Sequence, residues 1–234
     1  MSSKNVVFDA INDRLGDLLR AHNVNAALLG NTWIETAERE YTYLSLAGKY
    51  TPFVECMEKL FYRILWMADI PEPRQFATHE DIKYMINGYQ HLTMRPGAVE
   101  CIAKLRDAGF TVWALTAADL ASVAGIFQQA GVELPSENLI SCDTNGVGKP
   151  DPLAYKPLFD QLSQQGRPWF AAAHAWDVTG ARKAGFRTAY SSVLEKEAIP
   201  DLFGEMEVTA DALPEMAEKI IAQNKVHLYQ LSWR

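Results

Sequence analysis

From Met94 onward, short apolar runs alternate with stretches of helical periodicity, and this alternation constrains the fold more than any other feature of the chain. Val99, Ile102 and Ala103 share one helical face that ends near Gly109, and Phe110 to Leu115 reads as a strand. A helix then runs to about Ala130 and stops at Gly131. Leu139-Ile140-Ser141-Cys142 is a short strand, and Pro152 to Gln165 is helical. Trp169 to Ala173 reads as a strand, Asp177 to Ala184 as a short helix closed by Gly185, Thr188-Ala189-Tyr190 as a strand and Leu213 to Ile221 as a helix. Alternation of this kind predicts an α/β protein with a parallel sheet covered on both faces.

The N-terminal run Asn5-Val6-Val7-Phe8-Asp9 fits that scheme as a buried central strand ending in a carboxylate. Open α/β sheets place their ligands at such strand ends, so Asp9 is a candidate functional acid. Residues 10 to 94 then read as helices. Trp33, Ala37, Tyr41 and Leu44 fall at helical spacing, as do Val54, Met57, Phe61 and Ile64. Thr51-Pro52 starts the second of these helices, and Pro71-Glu72-Pro73 separates it from a third around His79 to Tyr89. The expected organisation is a core of residues 1–11 and 94–234 with a helical cap inserted at 12–93, long enough to lie over the strand ends. The apolar tail, Lys225 to Arg234 with Leu228, Tyr229, Leu231 and Trp233, is expected to pack on the body or on a partner chain.

A net charge of −7 argues against nucleic acid or an anionic membrane as the main partner. Cys56, Cys101 and Cys142 are odd in number and widely spaced, as expected of reduced, buried thiols. The start lacks the apolar segment of a signal peptide, and no stretch approaches the ~18 apolar residues of a membrane span. The expectation is a cytoplasmic protein acting on a small molecule.

Four stretches carry candidate chemistry: Val6-Val7-Phe8-Asp9-Ala10, Trp113-Ala114-Leu115-Thr116-Ala117-Ala118, Gly148-Lys149-Pro150-Asp151-Pro152-Leu153-Ala154-Tyr155, and Ala173-His174-Ala175-Trp176-Asp177 with the helix that follows. In order and spacing they resemble the haloacid dehalogenase (HAD) superfamily, and within it the L-2-haloacid dehalogenases. The resemblance implies a Rossmann-like HAD core with a parallel sheet plus an inserted helical cap domain. It implies that Asp9 is a nucleophile forming an ester with substrate carbon or phosphorus. Lys149 would hold crowded carboxylates together, Asp177 would anchor Lys149 or orient water, Thr116 would bond the reacting carboxylate or substrate, and Tyr155 would support the network. Dehalogenase-like relatives also suggest a homodimer.

This sequence departs from the family pattern at defined positions. Superfamily phosphatases carry a second aspartate two residues after the nucleophile, where this chain has Ile11; that argues against phosphoryl transfer. Asp177 lacks the neighbouring acids that hold Mg²⁺, so neither a metal nor another cofactor is expected. The dehalogenase turn of tyrosine, glycine and threonine is replaced by Ile11-Asn12-Asp13. Ile34-Glu35 stands where a cap arginine would pair the substrate carboxylate, and Ala117 replaces an asparagine. Ala172 and His174 replace a serine and an asparagine. Burying an unpaired substrate carboxylate costs several kcal/mol, so these losses argue against a simple haloacid substrate. His174, a new titratable group, is a candidate acid or base. Asp13, Trp33, Glu35, Tyr41 and Trp176 are candidate substrate contacts, alongside Ile11 and Ala117.

Three readings remain open. Asp9 acts as a nucleophile in hydrolysis at carbon; or it serves as general acid or base in epoxide opening, rearrangement or cyclisation of an apolar metabolite; or the chain is an inactive binding protein.

Overall fold

The computed structural model describes the backbone of residues 3–90 and 92–231 and the side chains of 6–88 and 92–224. The chain forms two compact units, Met1–Arg95 with Leu115–Gly148 and Pro96–Ala114 with Lys149–Arg234. Residues 115–148 group with the N-terminal helices in this division.

The first unit contains α1 (Ser3–Ala21), α2 (Ala26–Leu46), α3 (Phe53–Met67), α4 (Pro73–Phe76) and α5 (His79–Gln90). The expected strand at residues 5–9 is corrected here: the segment is the start of α1. Val7, Ile11, Leu15 and Leu19 recur every four residues along one face of this 19-residue helix and are all buried. They join Leu29, Trp33, Ala37, Met57, Phe61 and Ile64 in one core. Trp33 fixes α2 to α3, its indole N–H donating to the Met57 carbonyl at 2.9 Å with its ring edge-on to Phe61. Asn25 caps α2 by accepting from the Leu28 N–H.

The chain then passes through α6 (Ala98–Asp107) to β1 (Ala114–Thr116), shorter than the expected 110–115. After β1 come α7 (Leu120–Gln129), β2 (Leu139–Ser141), which pairs with β1, and α8 (Cys142–Asn145).

In the second unit α9 (Pro152–Leu162), β3 (Trp169–Ala172), α10 (Ala175–Ala184), β4 (Arg187–Ser191), α11 (Pro200–Phe203), β5 (Val208–Ala210) and α12 (Leu213–Leu231) follow. The strands form one parallel sheet in the order β3-β4-β5, with Ala172 opposite Tyr190 and Ser191 opposite Ala210. Alternate residues of β4 serve opposite faces. Ala189 packs with Val208, Ala210, Met216, Ala217, Ile220 and Cys101 on one side, and Tyr190 packs with Ala175 and Val178 on the other. Both faces are thus covered, α6 and α12 lying on one and α10 on the other. The apolar side chains of the tail lie outside the described residues. Among the described residues no helix is long and apolar enough to cross a membrane.

Candidate active site

The sheet of the second unit brings together three of the expected residues. Asp151 caps α9 by accepting from the Leu153 N–H, with Pro152 at the first helical position. That helix start buries Tyr155 between Lys149 and the first turn of α10, where Asp177 sits. The position suits a carboxylate, because the free N–H groups of a helix start favour negative charge. Lys149 Nζ donates to Asp177 Oδ2 at 3.0 Å, and the Tyr155 hydroxyl donates to Asp177 Oδ1 at 2.6 Å. The lysine and aspartate side chains are only 8% and 10% exposed. The ammonium also lies 5.2 Å from the Phe170 ring centroid and 5.8 Å from that of Tyr155, so apolar faces as well as an anion surround it. Gly180, one turn after Asp177, makes room: a Cβ there would stand 2.9 Å from the Tyr155 hydroxyl oxygen and 3.0 Å from Pro150 Cβ.

His174 and Trp176 begin the same turn. His174 is the N-cap of α10, and its Nδ1 lies 3.0 Å from Glu195 Oε1. Glu195 Oε2 accepts from the Ala175 N–H and from the Tyr190 hydroxyl, each at 3.0 Å. Burial, and then the bond to Glu195, push the Tyr190 hydroxyl well above its ordinary range, so it remains a donor. Trp176 stacks on the His174 ring.

The other candidates lie in the first unit. Asp9 and Asp13 are exposed on α1, and Glu35 is exposed on α2. Ile11 and Trp33 are fully buried in the helical core. Thr116 ends β1 and accepts the Ala118 N–H on its hydroxyl at 3.0 Å; Ala117 packs against the helical core. Tyr41 is buried, and its hydroxyl meets that of Tyr50 at 3.2 Å. Tyr50 in turn donates to Asp143 Oδ1 at 2.6 Å. Burial is the main cause that raises both phenols above their usual range, so the chain ends in protonated hydroxyls facing one carboxylate.

Sequence reasoning missed Glu195, Tyr190, Tyr50 and Asp143. Glu195 and Asp143 each follow a strand end by a few residues, a position that could have marked them. Among the described residues no three His, Cys, Asp or Glu side chains converge in a way that could hold a metal ion.

The model of the haloacid dehalogenase-like hydrolases matches residues 2–185. The chain belongs to that family, whose members are hydrolases. It is 26% identical to (S)-2-haloacid dehalogenase 1 of Pseudomonas sp. (strain CBS-3) over 81% of this chain and 85% of that protein. It is also 26% identical to the (S)-2-haloacid dehalogenase of Xanthobacter autotrophicus, over 77% and 69% of the two chains. The solved L-2-haloacid dehalogenase from Xanthobacter autotrophicus superposes with a TM-score of 0.71 at 20% identity, covering 94% of this chain and 93% of its own. The same dehalogenase with chloropropionic acid covalently bound gives 0.68 at 19% identity, covering 90% and 92%. These likenesses establish an α/β HAD fold with a Rossmann-like core and a helical cap.

Proposed function

We propose that this HAD-like hydrolase cleaves a carbon–leaving group bond in a small, uncharged organic substrate, with Asp9 as the nucleophile. The buried Lys149–Asp177–Tyr155 cluster carries the reading. A nearly sealed ammonium held by a carboxylate beside a parallel sheet is costly unless it serves a negative charge in the reaction. The covalently bound chloropropionic acid of the Xanthobacter dehalogenase supports an ester intermediate. A carboxylate oxygen of Asp9 forms a bond to the substrate carbon, and the halide departs with the bonding pair. Water then adds to the ester carbonyl, one of its protons leaves with the alcohol, and the other passes to solvent as the Asp9 carboxylate returns.

Ile34-Glu35 and Ala117 stand where the family supplies a cation and an amide, so the substrate is a neutral halide rather than a haloacid. The test is halide release from 2-chloropropionamide and L-2-chloropropionate, beside Asp9→Asn. The amide should be cleaved faster than the acid, and the variant should be inactive. A faster reaction with the acid would mean that another cation holds its carboxylate. Full activity of Asp9→Asn would remove Asp9 from the mechanism.

A second reading keeps Asp9 as an acid or base for epoxide opening or rearrangement. The observation in its favour is the joint loss of halide and carboxylate donors and gain of His174. Single turnover in ¹⁸O-water separates the two, since only the ester route carries the label into Asp9. We also propose a homodimer, which light scattering of the purified chain would detect.

A further inference from the structure

The carboxyl edge of the β3-β4-β5 sheet carries a second polar group that the hydrolytic scheme above does not use. His174 follows the end of β3 and Glu195 follows the end of β4. The strands are parallel, so both leave by the same edge. A carboxylate can only accept, so the 3.0 Å contact of His174 Nδ1 with Glu195 Oε1 assigns the proton to Nδ1. In its neutral form the ring then presents a lone pair at Nε2, which makes no hydrogen bond among the described residues. Glu195 is itself braced: its other oxygen is occupied by the Ala175 N–H and the Tyr190 hydroxyl. Trp176 lies 29° from the imidazole plane with centroids 5.4 Å apart, restricting the ring's tilt. The His174 and Glu195 side chains are 26% and 27% exposed, so the pair is not sealed in the core. A brace for the loop after β4 would not need the imidazole, because Glu195 already joins α10 to β4 through Ala175 and Tyr190.

We propose that His174 is a proton-transfer residue, fixed by Glu195 in the Nδ1–H form so that Nε2 can accept a proton from water. As a water O–H bond breaks, Nε2 takes the proton and the oxygen adds to an ester carbonyl carbon. As the carbon–oxygen bond to the alcohol then breaks, the imidazolium returns the proton to the departing oxygen. Glu195 is a positioning residue. The reaction that this proton transfer serves rests on the hydrolase reading; the tautomer and reactivity of the ring do not.

The test combines three measurements on the full chain. Nitrogen NMR of ¹⁵N-histidine-labelled protein reads the tautomer. Diethyl pyrocarbonate with peptide mass mapping reads access to Nε2. Halide release from 2-chloropropionamide and L-2-chloropropionate reads turnover in wild type, His174→Gln and Glu195→Gln. The expected result is the Nδ1–H tautomer and ready acylation at His174. Acylation should cost about 100-fold in halide release, reversed by hydroxylamine, as should His174→Gln without reversal. Glu195→Gln keeps an acceptor but loses the charge, and should cost about 10-fold with the tautomer retained. An Nε2–H tautomer, a ring inert to acylation, or full turnover after acylation of His174 would overturn the proposal. If wild type releases halide from neither probe, the hydrolase reading falls, and the tautomer and acylation results alone decide the role of His174.

Discussion

The Lys149–Asp177 pair should behave as one energetic unit, and a double-mutant cycle measures it. At 3.0 Å and an effective dielectric constant near 20, two unit charges attract by about 5 kcal/mol. Desolvation of two nearly buried groups offsets part of that, which leaves a coupling of about 3 kcal/mol. Lys149→Met alone leaves the Asp177 carboxylate buried with the Tyr155 hydroxyl still donating to it. Asp177→Asn alone leaves an ammonium among the faces of Phe170 and Tyr155, which recover only part of the loss. Each single variant should therefore lose about 3 kcal/mol in urea unfolding. The double variant buries no charge at this point and should also lose about 3 kcal/mol, rather than the sum of about 6. Losses that add to within ~0.5 kcal/mol would mean that the two charges do not depend on each other, and the buried-pair argument would fail.

Three further outcomes follow from the geometry. Tyr155→Phe removes a 2.6 Å hydrogen bond to a buried carboxylate and should cost about 2 kcal/mol, read by the same unfolding assay. Gly180→Ala gains helix propensity but drives a methyl to 2.9 Å from the Tyr155 hydroxyl oxygen; a net loss of about 1–2 kcal/mol and lowered turnover are expected, and a stabilised, fully active variant would show that the contact yields freely. Asp119 caps α7 by accepting from the Ser122 N–H and hydroxyl, which hold its carboxyl below the usual range. A depressed folded-state value gives stability that is present above the unfolded value of ~3.9 and is lost as pH falls through the folded one. Asp119→Ala should therefore cost about 1 kcal/mol near neutral pH, and its urea midpoint should approach that of wild type below about pH 3.

Much of the second unit was legible because its information is local. Gly-Lys-Pro-Asp-Pro carries its own helix start, with a cap at Asp151 and proline next, and this fixes where Tyr155 points. Gly185, at a φ of 117°, marks the end of α10 where the sequence placed it. The N-terminal run was misread because a short apolar run does not declare its period. Val6-Val7-Phe8 looks like a strand by itself, whereas Val7, Ile11, Leu15 and Leu19 reveal a helical face only over four turns. β5 was missed because three residues, Val208-Thr209-Ala210, give too little pattern to separate a strand from a loop.

The polar partners were harder to see for a different reason. Lys149, Tyr155 and Asp177 are recognised by fixed spacing within two short stretches, but Glu195 lies 21 residues beyond His174 in an irregular turn. Only the parallel pairing of β3 with β4 returns the chain to the same edge, so their meeting depends on the sheet and not on any motif. The same fact explains how such a site can change its chemistry. Loss of an amide or arginine donor needs one substitution at a motif position. Gain of a held imidazole needs one histidine at a strand end and one acid in a loop that already passes it. His174 and Asp177, one from each polar group, both follow β3 within five residues of its end. Under the proposed hydrolytic reading, a substrate at that edge lies near both the Lys149–Asp177 pair and a group able to move a proton, the two elements that ester hydrolysis would draw on.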